Sequence, residues 1–239
     1  MLLQDVVNGV IGRRKRGENG METYERIKEL FEAHGDAQRA AAMSAYLRDQ
    51  FLFYGIPTPQ RRALIRLLLR AEKQAGRIDW ALLDLCYADP HREMQYVVCD
   101  YLRSLQALLT YEDLDHIQVY AQTKSWWDTI DSLDQTIGAI GLRDPRVDER
   151  MLAWAQDADF WLRRIAIDYQ LGRKERTNTA LLEQILVWNL GSEEFFINKA
   201  IGWSLRDYSK QDPAWVRAFI DAHREAMSAL SIREASRYL

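Results

Sequence analysis

The sequence predicts an all-helical chain of stacked helix pairs, and three observations predict it. Similar segments return at a nearly constant interval: Trp127, Trp161 and Phe196 follow one another at spacings of 34 and 35, and Glu93 and Pro59 continue the series backwards at 34. A helical unit of that length cannot bury its apolar face alone, so such a period reads as helix pairs packed on their neighbours. No stretch alternates apolar and polar residues with period two between turn signals, which removes sheet. Only 12 glycines and 5 prolines interrupt the 239 residues, which suits long helices with short connections. One domain is expected over residues 21–239, with residues 1–20 as a flexible N-terminal extension.

Taken in order, the chain opens with an apolar piece broken by Asn8 and Gly9 and followed by Arg13-Arg-Lys-Arg16. A basic run after the apolar one is the wrong order for a secretory signal. From Met21, residues Tyr24, Ile27, Leu30 and Phe31 form one apolar stripe. Gly35 and Asp36 break and recap the chain, and a second helix is expected to run to about Phe53. In Gly55-Ile-Pro-Thr-Pro59, Thr58 is expected as the N-cap with Pro59 in the first turn. Helices are then expected over 79–87, 90–108 and 111–121, followed by one that Ser125 caps, with Asp128 completing a capping box. The series continues over 146–156, 158–171, 178–190 and 193–209. Asp212-Pro213 starts a last long helix, and 231–239 adds a further turn.

Apolar residues make up 48% of the chain and charged residues 28%, an ordinary globular balance. No apolar run approaches the roughly 20 residues of a membrane helix. Cys86 and Cys99 are few for a disulfide scaffold and lack C-x-x-C spacing, so reduced thiols and a cytoplasmic setting are expected. A net charge of −3 speaks against a wholly basic nucleic-acid binder but permits a local basic face. Arg61, Arg62 and Arg66 sit on the helix that Thr58 opens, where free N–H groups and arginines point the same way and suit a phosphate. A solvated basic face is the plain alternative. The four histidines are scattered, and no phosphate-binding glycine loop, dinucleotide fingerprint or G-x-S-x-G elbow is present. Neither metal nor cofactor is expected.

What remains is a carboxylate among tryptophans. Trp127 and Asp131 are four apart, one turn from each other on a shared helix face. Counted from the repeat origin, Trp127 is position zero, Asp131 plus four, Arg164 plus three and Trp203 plus seven, all on one stripe. A buried face would account for the tryptophans. Asp and Arg are rarely fully buried unless paired, so an Asp131–Arg164 ion pair is the structural alternative. Aromatic faces and a carboxylate share a preference for positive charge. Cleavage of an N-glycosidic bond passes through an oxocarbenium-like sugar. A base made cationic by alkylation leaves as a neutral group and needs no general acid, so one carboxylate suffices, with Arg164 beside it to hold a phosphate.

Phe51-Leu-Phe-Tyr-Gly-Ile-Pro-Thr-Pro59, Thr123-Lys-Ser-Trp-Trp-Asp128 with Asp131, Trp161-Leu-Arg-Arg164 and Glu194-Phe-Phe-Ile-Asn-Lys-Ala-Ile-Gly-Trp203-Ser-Leu-Arg-Asp-Tyr208 resemble the DNA alkylation repair family of AlkD type. The likeness runs from about Met21 to the C-terminus. It implies a right-handed superhelical solenoid of HEAT-like antiparallel helix pairs whose concave face holds duplex DNA. It further implies monofunctional excision of N3- and N7-alkylated purines (3-methyladenine, 7-methylguanine) without flipping the base, by a monomer without cofactor or membrane. Asp131 is then the catalytic carboxylate, with Trp127 and Trp203 against the lesion nucleotide's sugar and Arg164 near the backbone. Thr58, Arg62, Tyr46, Lys124 and Arg206 complete the expected DNA-binding set. A cytoplasmic, bacterial-type protein, associated with the nucleoid when acting on DNA, follows. The departures are the 20-residue extension and the end at Leu239, neither of which touches the site. Two other classes compete: a non-catalytic helical-repeat protein that binds DNA structures, and a scaffold that takes a methylated cationic protein ligand in an aromatic cage. Retention of Asp131 with both tryptophans favours the enzyme over the first, and Arg164 is a repulsive neighbour in the second.

Overall fold

The computed structural model describes residues 20–239; the expected extension lies outside them except for Gly20, which opens the first helix. The described residues form 13 α-helices linked by short turns and four single 3-10 turns, with one isolated bridge, Leu52 to His91, in place of any sheet. They fall into two compact units, one up to Leu109 and one from Thr110 to Leu239.

The first unit contains α1 (Gly20–His34), α2 (Ala37–Tyr46), α3 (Thr58–Ala75), α4 (Trp80–Ala88) and α5 (Arg92–Ser104). α1 packs on α4, and α5 packs on both α3 and α4. α2 stops at Tyr46, well short of Phe53, because Arg48 and Asp49 both take positive φ, 57° and 55°. Two successive left-handed residues end a right-handed helix. The chain then wraps a buried carboxylate. Glu93, at 0% exposure, accepts hydrogen bonds from the backbone N–H groups of Tyr54 (3.0 Å), Gly55 (2.8 Å) and Ile56 (3.0 Å). Gly55 is required there: its φ is 87°, and a Cβ would stand 2.1 Å from the Asp36 carbonyl oxygen. The Phe51–Pro59 segment is thus shaped by the residue at repeat position zero of the next repeat. Thr58 is already the first residue of α3, and Pro57 occupies the cap position without a side-chain bond. The Thr58 hydroxyl instead accepts from Arg61 Nη1 at 3.4 Å.

The second unit contains α6 (Leu114–Gln122), α7 (Trp127–Gly141), α8 (Arg146–Trp154), α9 (Phe160–Asp168), α10 (Thr179–Asn189), α11 (Phe195–Tyr208), α12 (Pro213–His223) and α13 (Ala229–Ala235). α9 is its hub, packing on α6, α7, α8, α10 and α11. Most starts follow ordinary capping chemistry: the side chains of Asp159, Asn178, Glu194, Asp212 and Ser228 each accept a backbone N–H of the helix they precede. α7 does not. Lys124 turns the chain at φ 50°, and the Ser125 hydroxyl points back to donate to the Ala121 carbonyl at 2.6 Å. The expected capping box therefore does not form, and Trp126 takes the cap position. Aromatic packing fixes this start instead. The Trp126 ring lies 6.0 Å from Trp161 and 5.4 Å from Phe196, and those two are 4.8 Å apart. One cluster thereby ties the N-terminal ends of α7, α9 and α11, the three helices that carry the candidate site.

α7 and the end of α9 meet at Gly138, where a Cβ would come within 2.2 Å of the Tyr169 carbonyl oxygen. Backbone cannot yield as a flexible side chain can, so Gly138→Ala should destabilise the fold by about 2–3 kcal/mol. Urea unfolding tests this, and a midpoint equal to that of the wild type would contradict the close approach.

Candidate functional site

The expected stripe becomes a charge cluster organised by Arg164. From the second turn of α9, its Nε donates to Asp131 Oδ1 at 2.8 Å and its Nη2 to Asp131 Oδ2 at 3.0 Å. This two-pronged geometry is the strongest arrangement available to an arginine and a carboxylate. Nη1 donates to the Phe196 carbonyl at 2.7 Å, on the first turn of α11. The guanidinium lies over the Trp203 ring at 5.2 Å. Repeat positions plus three, plus four and plus seven thus meet through one side chain spanning α7, α9 and α11. Arg164 is 1% exposed while the Asp131 side chain keeps 21%. The carboxylate, not the arginine, reaches solvent. The structure therefore gives Arg164 the task of holding Asp131; the phosphate contact expected for it would require the guanidinium to leave these partners.

Two more carboxyl groups stand behind the pair, and both were missed in the sequence. Asp134, one turn beyond Asp131 on α7, is 2% exposed, and Asp168, one turn beyond Arg164 on α9, is 1% exposed. Asp168 Oδ2 approaches Arg164 Nη2 at 3.8 Å. Neither Asp168 oxygen, nor Oδ1 of Asp134, has a hydrogen-bond partner among the described residues. One oxygen from each of Asp131, Asp134 and Asp168 lies within 4.8 Å of the others, a spacing a hard cation could also use, but the guanidinium already brings positive charge to this cluster. The signal was in the repeat: Asp134, Asp168 and Trp203 all occupy position plus seven. Burial, opposed by Arg164 and aided by Asp131 and Asp207, pushes Asp168 up to about 8. Burial and the charges of Asp168 and Asp131 also hold Asp134 well above the usual carboxylate range. At Asp131 burial again raises the pKa, while the Arg164 charge and hydrogen bonds pull it down. At Arg164 burial works against the charge, and the fields of Asp168 and Asp131 outweigh it.

The remaining residues of the second unit support this centre. Trp127 opens α7 one turn before Asp131, half-buried, and Lys124 lies in the turn before it. Arg206 and Lys199 stand 5.8 and 5.6 Å from the centre of the Trp203 ring. Both are held by Glu234 of α13, at 2.8 and 2.7 Å. Trp203 is thus already surrounded by cations of its own chain. The first unit holds the other expected contacts: Tyr46 is 74% exposed, and Thr58 and Arg62 are exposed at the start of α3. Arg62 shares Asp100 with the buried Arg61, at 2.9 and 3.0 Å. Beyond them, Arg66, Arg70 and Lys73 of α3 and Arg103 of α5 line an open groove. Asp100, its only carboxylate among the described residues, is already paired with Arg61 and Arg62. A basic face therefore exists on a chain of net charge −3.

These features define a helical-repeat protein with a carboxylate–guanidinium centre built across three repeat helices. The chain belongs to the DNA alkylation repair enzyme family, which matches it over residues 27–239. It is similar to a solved structure from Enterococcus faecalis described as a predicted DNA alkylation repair enzyme, with 35% identity and a TM-score of 0.79, over 86% of this chain and 96% of that one. No curated protein matches it. The family resemblance drawn from the motifs holds, as does the all-helical repeat fold. No helix among the described residues is long and apolar enough to cross a membrane.

The buried carboxyl at position 168 has a consequence for stability. An unfolded Asp titrates near ~3.9, and the folded group titrates at about 8. A raised folded value gives a contribution that is complete below the unfolded pKa and is lost as pH climbs to the folded one. Asp168→Asn cannot ionise, so its melting temperature should gain on the wild type progressively between about pH 5 and pH 8. A difference that stays constant across that range would show that Asp168 ionises normally.

Proposed function

We propose that the chain is a monofunctional DNA glycosylase that hydrolyses the N-glycosidic bond of N3- and N7-alkylated purines in duplex DNA and leaves an abasic site. The observation that carries this reading is the partly exposed Asp131 carboxylate, gripped from behind by a buried arginine. It is a fixed negative charge with one face free, in a protein of a DNA alkylation repair family. An alkylated purine is cationic and departs as a neutral base, so the bond breaks without a proton donor. What the transition state requires is an anion beside the developing oxocarbenium-like sugar, placed before the reaction begins. Asp131 supplies that anion and orients the attacking water. Trp127, one turn away, and Trp203, across Arg164, offer faces for the sugar and lesion. The groove of α3 and α5 suits phosphates, since it presents cations and almost no competing carboxylate.

The direct test is release of free 7-methylguanine or 3-methyladenine from alkylated duplex DNA with chelator present and no nucleotide added. Strict dependence on added divalent metal would overturn the reading. Asp131→Asn keeps the shape of the side chain and loses its charge, so single-turnover excision should fall by ~10²–10³ with DNA affinity little changed. Wild-type excision by that variant would put the chemistry elsewhere. Arg66→Ala and Arg70→Ala should weaken binding to damaged and undamaged duplexes alike. Each should also reduce the slope of log affinity against log salt by about 1. Unchanged slopes would remove the groove from the DNA interface.

A further inference from the structure

Three carboxyl groups and one guanidinium share a space that opens to solvent only at Asp131. If all were ionised the cluster would carry a net charge of −2, with two of the anions at 1% and 2% exposure. Burying an unpaired carboxylate is costly enough that such a group neutralises instead. The hydrogen-bonding geometry shows where. Asp131 takes both donors of the guanidinium edge, and Arg164 Nη1 is spent on Phe196. Asp168 is left at 3.8 Å from the guanidinium, with two oxygens that accept nothing. Asp134 also keeps a buried oxygen without a donor, and one oxygen from each side chain lies within 4.8 Å of the other. Protonation resolves this at each group, because a protonated carboxyl is neutral and its O–H becomes a donor in place of an unanswered acceptor.

We propose that Asp134 and Asp168 are positioning residues for Asp131: they hold protons at working pH and so leave Asp131 the only full anion on Arg164. The functional half of this rests on the glycosylase reading above. When Asp168 loses its proton, Arg164 is drawn along its own helix toward it, four residues away. The two-pronged grip on Asp131 then loosens. The catalytic carboxylate keeps its charge and loses its place, and displacement of about 1 Å can cost up to ~10² in rate. The charged groups whose fields reach the pair come from α7 (Asp131), α9 (Arg164) and α11 (Asp207), and Asp128 of α7 acts in turn on Asp131. Asp207 adds to the resistance against ionisation. The onset of the effect belongs near the value of Asp168, about 8.

The first measurement follows the carboxyl carbons of the aspartates by NMR as pH is varied, in the full chain with Asp134→Asn and Asp168→Asn used for assignment. At neutral pH both should show the signal of a protonated carboxyl, with Asp131 ionised. A carboxylate signal at either position would overturn the proposal, whether or not the chain excises bases. So would a shift of all three signals on adding Mg²⁺ or Mn²⁺, which would make the cluster a cation site. The second measurement is single-turnover excision of 7-methylguanine between about pH 6 and pH 9. The wild-type rate should fall about tenfold or more above the Asp168 transition, while the rate of Asp168→Asn should show no such fall over the same range. An identical alkaline fall in both proteins would show that Asp168 acts on folding alone. Absence of excision by the wild type at every pH would remove the glycosylase reading and with it the positioning role, while the carboxyl signals still decide the proton.

Discussion

A guanidinium enclosed at 1% exposure needs an answer for its charge and for each of its donors, and this requirement organises the second unit. Arg164 obtains those answers from the carboxylate of α7 and a backbone carbonyl of α11, with an aromatic face on α11 alongside. All three lie on helices other than its own. The centre therefore exists only while α7, α9 and α11 keep their register. That register is set at two levels. The aromatic cluster of Trp126, Trp161 and Phe196 pins the N-terminal ends. The contact of Gly138 with the Tyr169 carbonyl fixes how near α7 comes to the end of α9. Both are ordinary packing, and the electrostatics depend on them.

Much of this was legible before any coordinates. Spacings of 34 and 35 marked equivalent positions, and those positions converge: plus three, plus four and plus seven do share a surface, joined by Arg164. The helix order was legible too, since Asp89-Pro90, Asp144-Pro145, Gly191-Ser192 and Asp212-Pro213 punctuate the chain. The misses have local causes. Ser125 had the right spacing for a capping box, but its direction depended on the left-handed turn at Lys124, which no side-chain pattern announces. Helix α2 was drawn too long because Arg48 and Asp49 take conformations for which their side chains give no warning. Asp134 and Asp168 were overlooked because an aspartate on an amphipathic helix is read as a surface residue. Only their shared position with Trp203 argued otherwise.

The C-terminal helix shows how a site borrows rigidity from elements remote in sequence. Gly202 of α11 lies against Ser231 and Glu234 of α13, with no room for a Cβ. Through that contact Glu234 reaches Lys199 and Arg206, one turn to either side of Trp203. These cations then stand about the indole. An exposed tryptophan would be free to rotate; this one is caged by cations that are themselves tethered. A ligand meeting it faces a surface that is already shaped.

A cluster with more acids than bases has a reserve. Arg164 has an alternative anion in Asp168, four residues along its own helix, and ionising it costs only the release of one proton. The charge at the heart of the unit can therefore stay balanced if the residue at position 131 changes. In evolutionary terms this decouples position 131 from the scaffold: a lineage could lose that carboxylate and keep a folded helical repeat with its basic groove.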